Sequence, residues 1–466
     1  MPNPPHSDVI AMKPKPCVIP IPASAGTSGN PDETSPVSFP PNVIPAKAGI
    51  QTSLRDRRRR PEAFLRHCEG RRPEAISILL LLCVAFSSPS FAAEDLKIGG
   101  YYKNLLTASE TISTKKPYIA HLQRMRFDIN QKFSDEVSAR LVQDNNFLLN
   151  DFSTSPDFNL IREDNQRELA FWDTRAILVD ARDLYWTESF YRAYVKYDTP
   201  VVKCVVGKQV VDWDRMRFYH LFDIFNPLSP LSIEKTDEIM GVDAVNFELR
   251  PQPFTSYNFI YAPNRSSNYQ SYGLKFSSKV KDYDIFLMGA DVSKDFYTGF
   301  GFDGYLKGSG LRGEMTYTFN HNNNDRFIDN GNYSNDSDNF LRASIGMDRS
   351  FTSKLYAIIE YFYNGGAKIM NAPLFISSLP YSRRMLSITK HILGAGVEYE
   401  LTGITKVTSY FSYDFEGTSF LINPEFIWNI KPNTDLRIGC QIFEGDDDSE
   451  YGNYHNLFYA EMKLFF

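Results

Sequence analysis

The alternation of apolar and polar residues in YHNLFYAEMKLFF, residues 454–466, restricts the fold more than any other feature of the sequence. One side of an extended chain through this stretch carries Phe458, Ala460, Met462, Leu464 and Phe466. The other side carries Glu461 and Lys463, which have opposite charges. A helix would mix the two sets, because its period is 3.6 residues and not 2. The stretch is therefore predicted to be a β-strand with one apolar face and one charged face.

The same alternation recurs along the chain after residue 92, in segments of roughly 9–14 residues. This is the length that a tilted strand needs to cross a lipid bilayer. Eighteen strands are predicted, near 96–107, 118–133, 137–149, 184–198, 201–213, 242–252, 254–263, 270–280, 283–293, 298–306, 309–320, 338–350, 353–364, 389–401, 404–416, 418–430, 434–445 and 455–466. The strand at 298–306 is rich in glycine and the strand at 418–430 contains Pro424, so sixteen strands is the alternative.

The connections between these strands alternate in length. Every second one is a short turn, whereas the others include all the long loops, at 150–183, 214–241, 321–337, 365–388 and 446–454. Short turns on one side and longer loops on the other are typical of outer-membrane barrels. The predicted fold is therefore all-β: a transmembrane antiparallel β-barrel with short periplasmic turns and long extracellular loops.

The residues before 93 have a different character. Residues 1–75 are rich in Pro and Arg and contain near-repeats, such as PCVIPIPASAG and PNVIPAKAG. This composition cannot bury a core, and we expect a non-structural extension that arises from a start codon assigned too early. Residues 76–92 combine an apolar run with a preceding basic region and the sequence SFA, so they are predicted to be a signal peptide that is cleaved near Ala92. The barrel is then residues 93–466.

Charge and cysteine content exclude other classes of protein. Residues 1–92 hold 11 of the 50 Lys and Arg residues but only 7 of the 56 Asp and Glu residues, so the predicted barrel is more acidic than the whole chain. An acidic protein of this kind is not expected to bind nucleic acid. Only Cys204 and Cys440 follow residue 92, which is too few for a disulfide framework. No run of 18 apolar residues exists, which excludes a helical membrane protein.

Taken together, the signal peptide, the alternating strands and the C-terminal aromatic residue resemble the outer-membrane β-barrel channels of Gram-negative bacteria. In that family the last strand is a signal for the barrel-assembly machinery, and here it would comprise Phe458, Met462, Leu464 and Phe466. The stretch GKQVVDWDRMRFYHLFDIFNPLSPL, from Gly207, is similar to a pattern of alginate-export-like and related porins. Asp214 follows Trp213 where that pattern usually has glycine. The resemblance implies a location in the outer membrane, with lipid as a partner.

The polar face of the strands is predicted to line the bore. A barrel of sixteen to eighteen strands leaves an aqueous channel, whose selectivity depends on the charges in its lumen. The predicted lumen residues are Arg124, Arg126, Asp128, Arg140, Glu188, Arg192, Lys196, Glu248, Arg250, Arg312, Glu314, Arg342 and Asp348, and further inward charges include Lys275, Glu360, Arg437 and Lys463. Arginine is concentrated on the strands at 118–133, 137–149 and 184–198, which favours an anionic or hydroxylated solute. The alternative is that each arginine is only a solvated wall residue.

The loop at 214–241 is unusually aromatic for an exposed loop. We expect it to fold into the barrel and to narrow it. The predicted constriction residues are Trp213, Phe218, Phe222, Asp223, Phe225 and Asn226. An external cap, or an interface with a neighbouring subunit of an oligomer, is the alternative.

No motif for catalysis, for a cofactor or for a metal ion is found. The acidic loops that start at Asn320 and Glu444 do not match the spacing of a calcium loop, and the histidines after residue 92 are scattered. The predicted function is a porin or channel for passive diffusion or export of small hydrophilic solutes. The alternatives are a structural or partner-binding barrel, such as a sheath for an electron-transfer protein or a surface-polymer assembly factor, and, third, an outer-membrane hydrolase that uses His391.

Overall fold

The computed structural model describes residues 95–112, 114–158, 170–226, 233, 239–265, 270–292, 295–319, 339–367, 387–447 and 449–466. The predicted extension 1–75, the predicted signal peptide 76–92 and the loop 321–337 lie outside the described residues. The described strands are β1 Leu96–Glu110, β2 Pro117–Lys132, β3 Val137–Leu149, β4 Arg175–Ala181, β5 Leu184–Asp198, β6 Val202–Gln209, β7 Val242–Gln252, β8 Thr255–Ala262, β9 Ser271–Val280, β10 Tyr283–Val292, β11 Asp295–Leu306, β12 Ser309–Phe319, β13 Phe340–Ser350, β14 Leu355–Asn364, β15 His391–Thr402, β16 Thr405–Asp414, β17 Ser419–Lys431, β18 Thr434–Glu444 and β19 Leu457–Phe465. A short 3-10 turn, Asp151–Thr154, follows β3. Within the described ranges, no helix is long and apolar enough to span a membrane.

Eighteen of these strands form one closed antiparallel sheet. Each strand pairs with the next along the chain, except that β3 pairs directly with β5 and leaves β4 outside the circuit. The circuit closes where β19 pairs with β1, with Tyr101 opposite Phe465 and Ala108 opposite Phe458. Closure matters because it leaves the barrel strands without a free sheet edge. The prediction of an all-β barrel with eighteen strands is confirmed, and the alternative of sixteen strands is wrong.

Connections at one end of the barrel, here called the turn end, contain only two to four residues. The connection between β11 and β12 consists of Lys307 and Gly308, whose φ values of 52° and 81° are both positive. Positive φ at both central residues defines the type I′ turn that matches the twist of adjoining strands. The long connections all lie at the other end, here called the loop end. The predicted segregation of turns and loops is therefore confirmed.

The two faces of the sheet differ in chemistry, as the alternation predicts. On β13, Arg342 is only 1% exposed, whereas its neighbour Ile345 on the opposite face is 51% exposed. The enclosed face of a closed sheet is the inner one, so the charged residues point inward and the apolar residues point outward. This distribution is reversed relative to a water-soluble protein, and it suits a wall that faces lipid.

The position between β5 and β7 is filled by two separate pieces of chain. β6 pairs with the part of β5 near the turn end, and β4 pairs with the part of β5 near the loop end. β6 ends at Gln209, so the prediction of a strand at 201–213 is wrong at its C-terminal end. The side-chain amide of Gln209 donates to the carbonyl oxygens of Val205 and Ala244, at 3.0 Å each. The chain leaves the sheet after Gln209. Beyond this point β4, and not β6, pairs with β5.

Candidate functional site inside the barrel

Residues 210–226, here called the internal segment, follow β6 and lie against the inner wall of the barrel. Glu314 of β12 accepts a hydrogen bond from the amide of Arg215 at 2.8 Å. Glu360 of β14 accepts from the amides of Arg217 and Tyr219, at 3.1 and 2.9 Å. Because the segment leaves the sheet, its amides need acceptors elsewhere, and carboxylates on the wall provide strong, charge-assisted ones.

Aromatic side chains of the internal segment pack onto glycines of the wall. A Cβ atom at Gly299 of β11 would lie 2.8 Å from the Phe222 ring, and one at Gly394 of β15 would lie 2.8 Å from the Phe218 ring. These distances are too short for a side chain, so the wall is flat where the rings rest. Phe222 is completely buried as a result. The packing buries apolar rings inside a polar lumen, which water would otherwise surround.

The internal segment also holds itself together. The Asp214 carboxylate accepts from the amide of Phe222 at 3.1 Å and from Nδ1 of His220 at 3.1 Å. Asp223 accepts from the amide of Trp213 at 3.3 Å, and the Asn226 side chain accepts from the amide of Val211 at 3.0 Å. Compact loops that are packed by their own side chains often carry function.

Burial shifts the pKa of two groups in the internal segment. Burial raises the pKa of Asp223 to about 8, and the negative charge of Asp214 adds to this effect. Burial by itself lowers the pKa of His220, but the hydrogen bond and the charge of Asp214 outweigh it and raise the pKa to about 9. At neutral pH the segment therefore contains an imidazolium–carboxylate pair, Asp214 with His220, and a protonated Asp223.

The other face of the internal segment is open to the bore. Asp212, Arg215 and Arg217 are exposed, although the residues between them are buried. Arg215 also places its guanidinium over the ring of Phe286, at 5.2 Å from the ring centroid. The segment thus presents two cations and one anion to any solute that passes it.

The wall formed by β2, β3 and β5 carries a ladder of arginines. Arg126 forms two hydrogen bonds of 2.6 Å with the Asp144 carboxylate, and Arg124 donates to the Asn146 side chain at 2.6 Å. The Tyr191 ring stacks with both guanidinium groups, at 5.6 Å from Arg124 and 4.8 Å from Arg126. These contacts hold the arginines in fixed positions, and both guanidinium groups contact the Asp144 carboxylate.

Charged residues near the turn end form mixed ion pairs. Arg140 donates to Asp128 at 2.5 Å. Arg250 contacts both Glu248 and Asp198, at 3.2 and 3.1 Å. Lys196 lies 3.5 Å from Asp198. These pairs are half-buried and balanced in charge.

Three further predicted lumen residues, Arg312, Arg342 and Asp348, lie on the wall formed by β12 and β13. Arg312 forms an ion pair with Asp348. Arg342 donates to the side chain of Asn364 at 3.2 Å and lies over the Phe340 ring. Arg192 of β5 instead donates to main-chain carbonyl oxygens, those of Tyr191 and Ile239. Its contact with Ile239 connects the ladder with the residues that precede β7.

The prediction that Glu188 lines the lumen is wrong. Glu188 accepts a hydrogen bond from Gln143, which lies on the face of β3 opposite to Asp144. A β-bulge explains the difference, because Val142 pairs with Arg192 but Gln143 pairs with Phe190, so that Tyr191 is one extra residue in β5. One extra residue reverses the facing of every residue beyond it. Tyr191 consequently points to the arginines.

Sequence reasoning missed several contacts of this region. The inward position of Glu360 follows from its strand pattern, but nothing in the sequence shows that it binds the internal segment. Tyr219 is also buried, and its hydroxyl lies 2.8 Å from the hydroxyl of Ser412 on β16. Ser412 in turn lies 2.5 Å from the Tyr451 hydroxyl. Aromatic and small residues of this type are common in strands, so no sequence signal distinguishes them.

Three of the predicted assembly residues lie on the outer face of β19, and the fourth, Phe466, directly follows this strand. Phe458 and Phe466 are more than half exposed, and Met462 and Leu464 are more than one third exposed. Their recognition by assembly machinery stays a prediction. In the part of the chain that the structure describes, no group of three His, Cys, Asp or Glu side chains could hold a metal ion.

The closed eighteen-strand sheet, its apolar outer face and its polar interior define a porin-like outer-membrane β-barrel. Two solved structures, OccAB1 and OccAB2, support this fold. OccAB1 of Acinetobacter baumannii superposes with a TM-score of 0.52 at 13% identity, over 82% of this chain and 98% of that one. OccAB2 of the same organism superposes with a TM-score of 0.50 at 9% identity, over 81% of this chain and 99% of that one. A porin of Rhodopseudomonas blastica, a triple mutant, superposes with a lower TM-score of 0.42 at 11% identity, over 80% of this chain and 100% of that one.

At these identities the likeness concerns the fold. No protein-family model matches the chain, and no curated protein matches its sequence. The chain therefore has the architecture of a porin-like barrel, and its function has to be argued from its own residues.

Proposed function

We propose that this barrel is a passive channel for small hydrophilic solutes, with a preference for anions, and that it carries out no chemical step. The observation that carries the proposal is the internal segment, which is docked on one wall while its Arg215 and Arg217 side chains are exposed to the bore. A segment that folds inside a barrel reduces the free cross-section, and cations on it attract negative solutes.

The arginine ladder supports the same preference. Arg124 and Arg126 share the carboxylate of Asp144, and the described contacts of Arg192 are with carbonyl oxygens. Burial of these groups in a confined, low-dielectric environment lengthens the reach of their charge. The roles of the other lumen residues and of the constriction residues are part of this proposal.

Planar-bilayer recordings of the purified, folded barrel test the channel. We expect stepwise ion currents and, in a KCl gradient, a reversal potential that indicates anion selectivity. Replacement of both Arg215 and Arg217 by Ala should move the reversal potential toward cation selectivity. Lys431→Ala, at an exposed turn-end position, is a control that removes a positive charge away from the internal segment.

The absence of any current would contradict the channel and favour a structural or partner-binding barrel. Currents without a shift in the double variant would contradict the role of the two arginines. The same preparation tests the location: fractionation should place the protein in the outer membrane, and N-terminal sequencing should begin at Ala93 if cleavage follows Ala92. We propose outer-membrane lipid, the barrel-assembly machinery and a small hydrophilic solute as its partners.

A further inference from the structure

Two carboxyl groups meet where the internal segment rests on the wall. The side chains of Asp214 and Glu314 are both buried and are hydrogen-bonded to each other. Two carboxylate groups cannot make this bond when both are ionised, because each would only accept. Oε2 of Glu314 has no N–H or O–H donor among the described residues, so a proton between the two groups is needed to satisfy it.

Among the described residues, the further hydrogen bonds of the pair come from the internal segment. Asp214 accepts from the amides of Met216 and Phe222, at 2.5 and 3.1 Å, and from His220. Glu314 accepts from the amide of Arg215 through Oε1. The carboxyl pair thus joins the centre of the internal segment to β12.

Several other charged groups surround the pair. They are Asp212, Arg215, His220 and Asp223 on the internal segment, Lys275 on β9, Arg312 on β12 and Glu360 on β14. Lys275 donates to the carbonyl oxygen of Trp213 at 2.5 Å, and Arg312 forms an ion pair with Asp348. Within the described residues, His220 is the cation in direct contact with the pair.

We propose that Asp214 and Glu314 share one proton that positions the internal segment, and that loss of this proton in alkaline solution releases the segment and widens the bore. This inference rests on the proposed channel function. Deprotonation would place two negative charges side by side in a buried site, which is strongly unfavourable. The neighbours act in the same direction. His220, with a pKa of about 9, loses its positive charge in the same range, and Asp223, with a pKa of about 8, gains a negative one.

Glu314→Gln is the variant that separates positioning from bulk stability. Its amide group can donate to the Asp214 carboxylate and its oxygen can accept from Arg215, so it imitates the protonated acid at every pH. Glu314→Ala removes both contacts and imitates the released state at every pH. Glu461→Gln is the matched control, because Glu461 lies on β19 and pairs with Arg437 at 3.0 Å, away from the internal segment.

Single-channel conductance is measured at about pH 6 and about pH 10. The wild-type conductance should rise about twofold at the higher pH, because conductance follows the free cross-section of the bore. Glu314→Gln should stay at the low value, Glu314→Ala should be high at both pH values, and Glu461→Gln should follow the wild type. A Glu314→Gln variant that follows the wild type would assign the change to other groups and overturn the proposal, as would a pH-independent wild type.

Hydrogen exchange of the folded barrel tests whether the carboxyl pair positions the internal segment, and this test does not depend on ion currents. At about pH 10, amides 215–222 should exchange faster in the wild type than in Glu314→Gln, with equal rates at about pH 6. Equal rates at both pH values would overturn the positioning role. A barrel that conducts no ions but shows the exchange difference would contradict the channel function alone.

Discussion

The main-chain amide and carbonyl of Phe466 exchange hydrogen bonds with Gly100 of β1, at 3.1 and 3.0 Å. The Phe466 ring also lies over Gly100, where a Cβ atom would be 2.9 Å from the ring. These contacts close the sheet near the turn end, next to the pairing of β19 with β1. Phe466 is therefore part of the seam of the barrel as well as an exposed residue of its outer face.

A side chain at Gly100 should weaken this seam. Gly100→Val would clash with the Phe466 ring and with the carbonyl oxygen of Arg126, and overpacking of this kind costs about 1–3 kcal/mol. The measurement is the urea midpoint of unfolding, followed by the heat-modifiable mobility of the barrel in gels. Gly289→Val is the control, because a Cβ there would be 3.8 Å from Phe296. Equal midpoints for the two variants would contradict the role of the seam.

Glu360 should hold the internal segment more than it holds the barrel. In Glu360→Ala the amides of Arg217 and Tyr219 lose their acceptor, at a cost of about 2–3 kcal/mol for a charge-assisted contact. We expect more frequent current fluctuations in single-channel recordings, with little change in the unfolding midpoint. Glu398→Ala, which removes a half-exposed pair with Lys406, is the control and should leave the recordings unchanged. If current fluctuations in Glu360→Ala were no more frequent than in the wild type, the position of the internal segment would not depend on this carboxylate.

Phe222 should be the main apolar anchor of the internal segment. Phe222→Ala leaves a cavity where a completely buried ring rested, and such truncations cost about 3–5 kcal/mol. Because the ring belongs to the segment, we expect faster hydrogen exchange at residues 211–226 while the strands stay protected. Phe415→Ala, at a half-exposed position after β16, should change neither the exchange at residues 211–226 nor the protection of the strands. Faster exchange throughout the strands would instead assign Phe222 to the stability of the whole barrel.

The loop end should respond to pH through Glu450. Burial raises the pKa of Glu450 to about 8, although the hydrogen bond from the amide of Ile388, at 2.7 Å, acts against this rise. A raised pKa means that docking of Glu450 is most stable when the group is protonated, and that stability is lost as the pH rises through about 8. Hydrogen exchange of the Ile388 amide should therefore speed up between about pH 6 and pH 9, beyond the intrinsic rate. Glu450→Gln should abolish this dependence, and its persistence in that variant would exclude Glu450 as the cause.

The strands were predictable because alternation is a local property. Arg342 and Ile345 point to opposite faces in the structure for the same reason that they differ in the sequence, which is the two-residue period of a strand. Glu188 shows the limit of this reasoning. The bulge at Tyr191 adds one residue to β5 and reverses the facing beyond it, and it depends on pairing with β3, which is more than forty residues away. β4 was missed for a related reason, since it is a strand through its pairing with the part of β5 near the loop end.

The sequence by itself determined that the chain forms a barrel of sixteen to eighteen strands with an apolar exterior and a charged interior, because period and loop length act over a few residues at a time. Only the tertiary structure decided where the internal segment lies. Its amides are satisfied by Glu314 and Glu360, about one hundred and about one hundred and forty residues further along the chain. No local pattern indicates that Asp214 and Glu314 meet. Their contact depends on the curvature of the closed sheet, which brings distant strands around a shared interior.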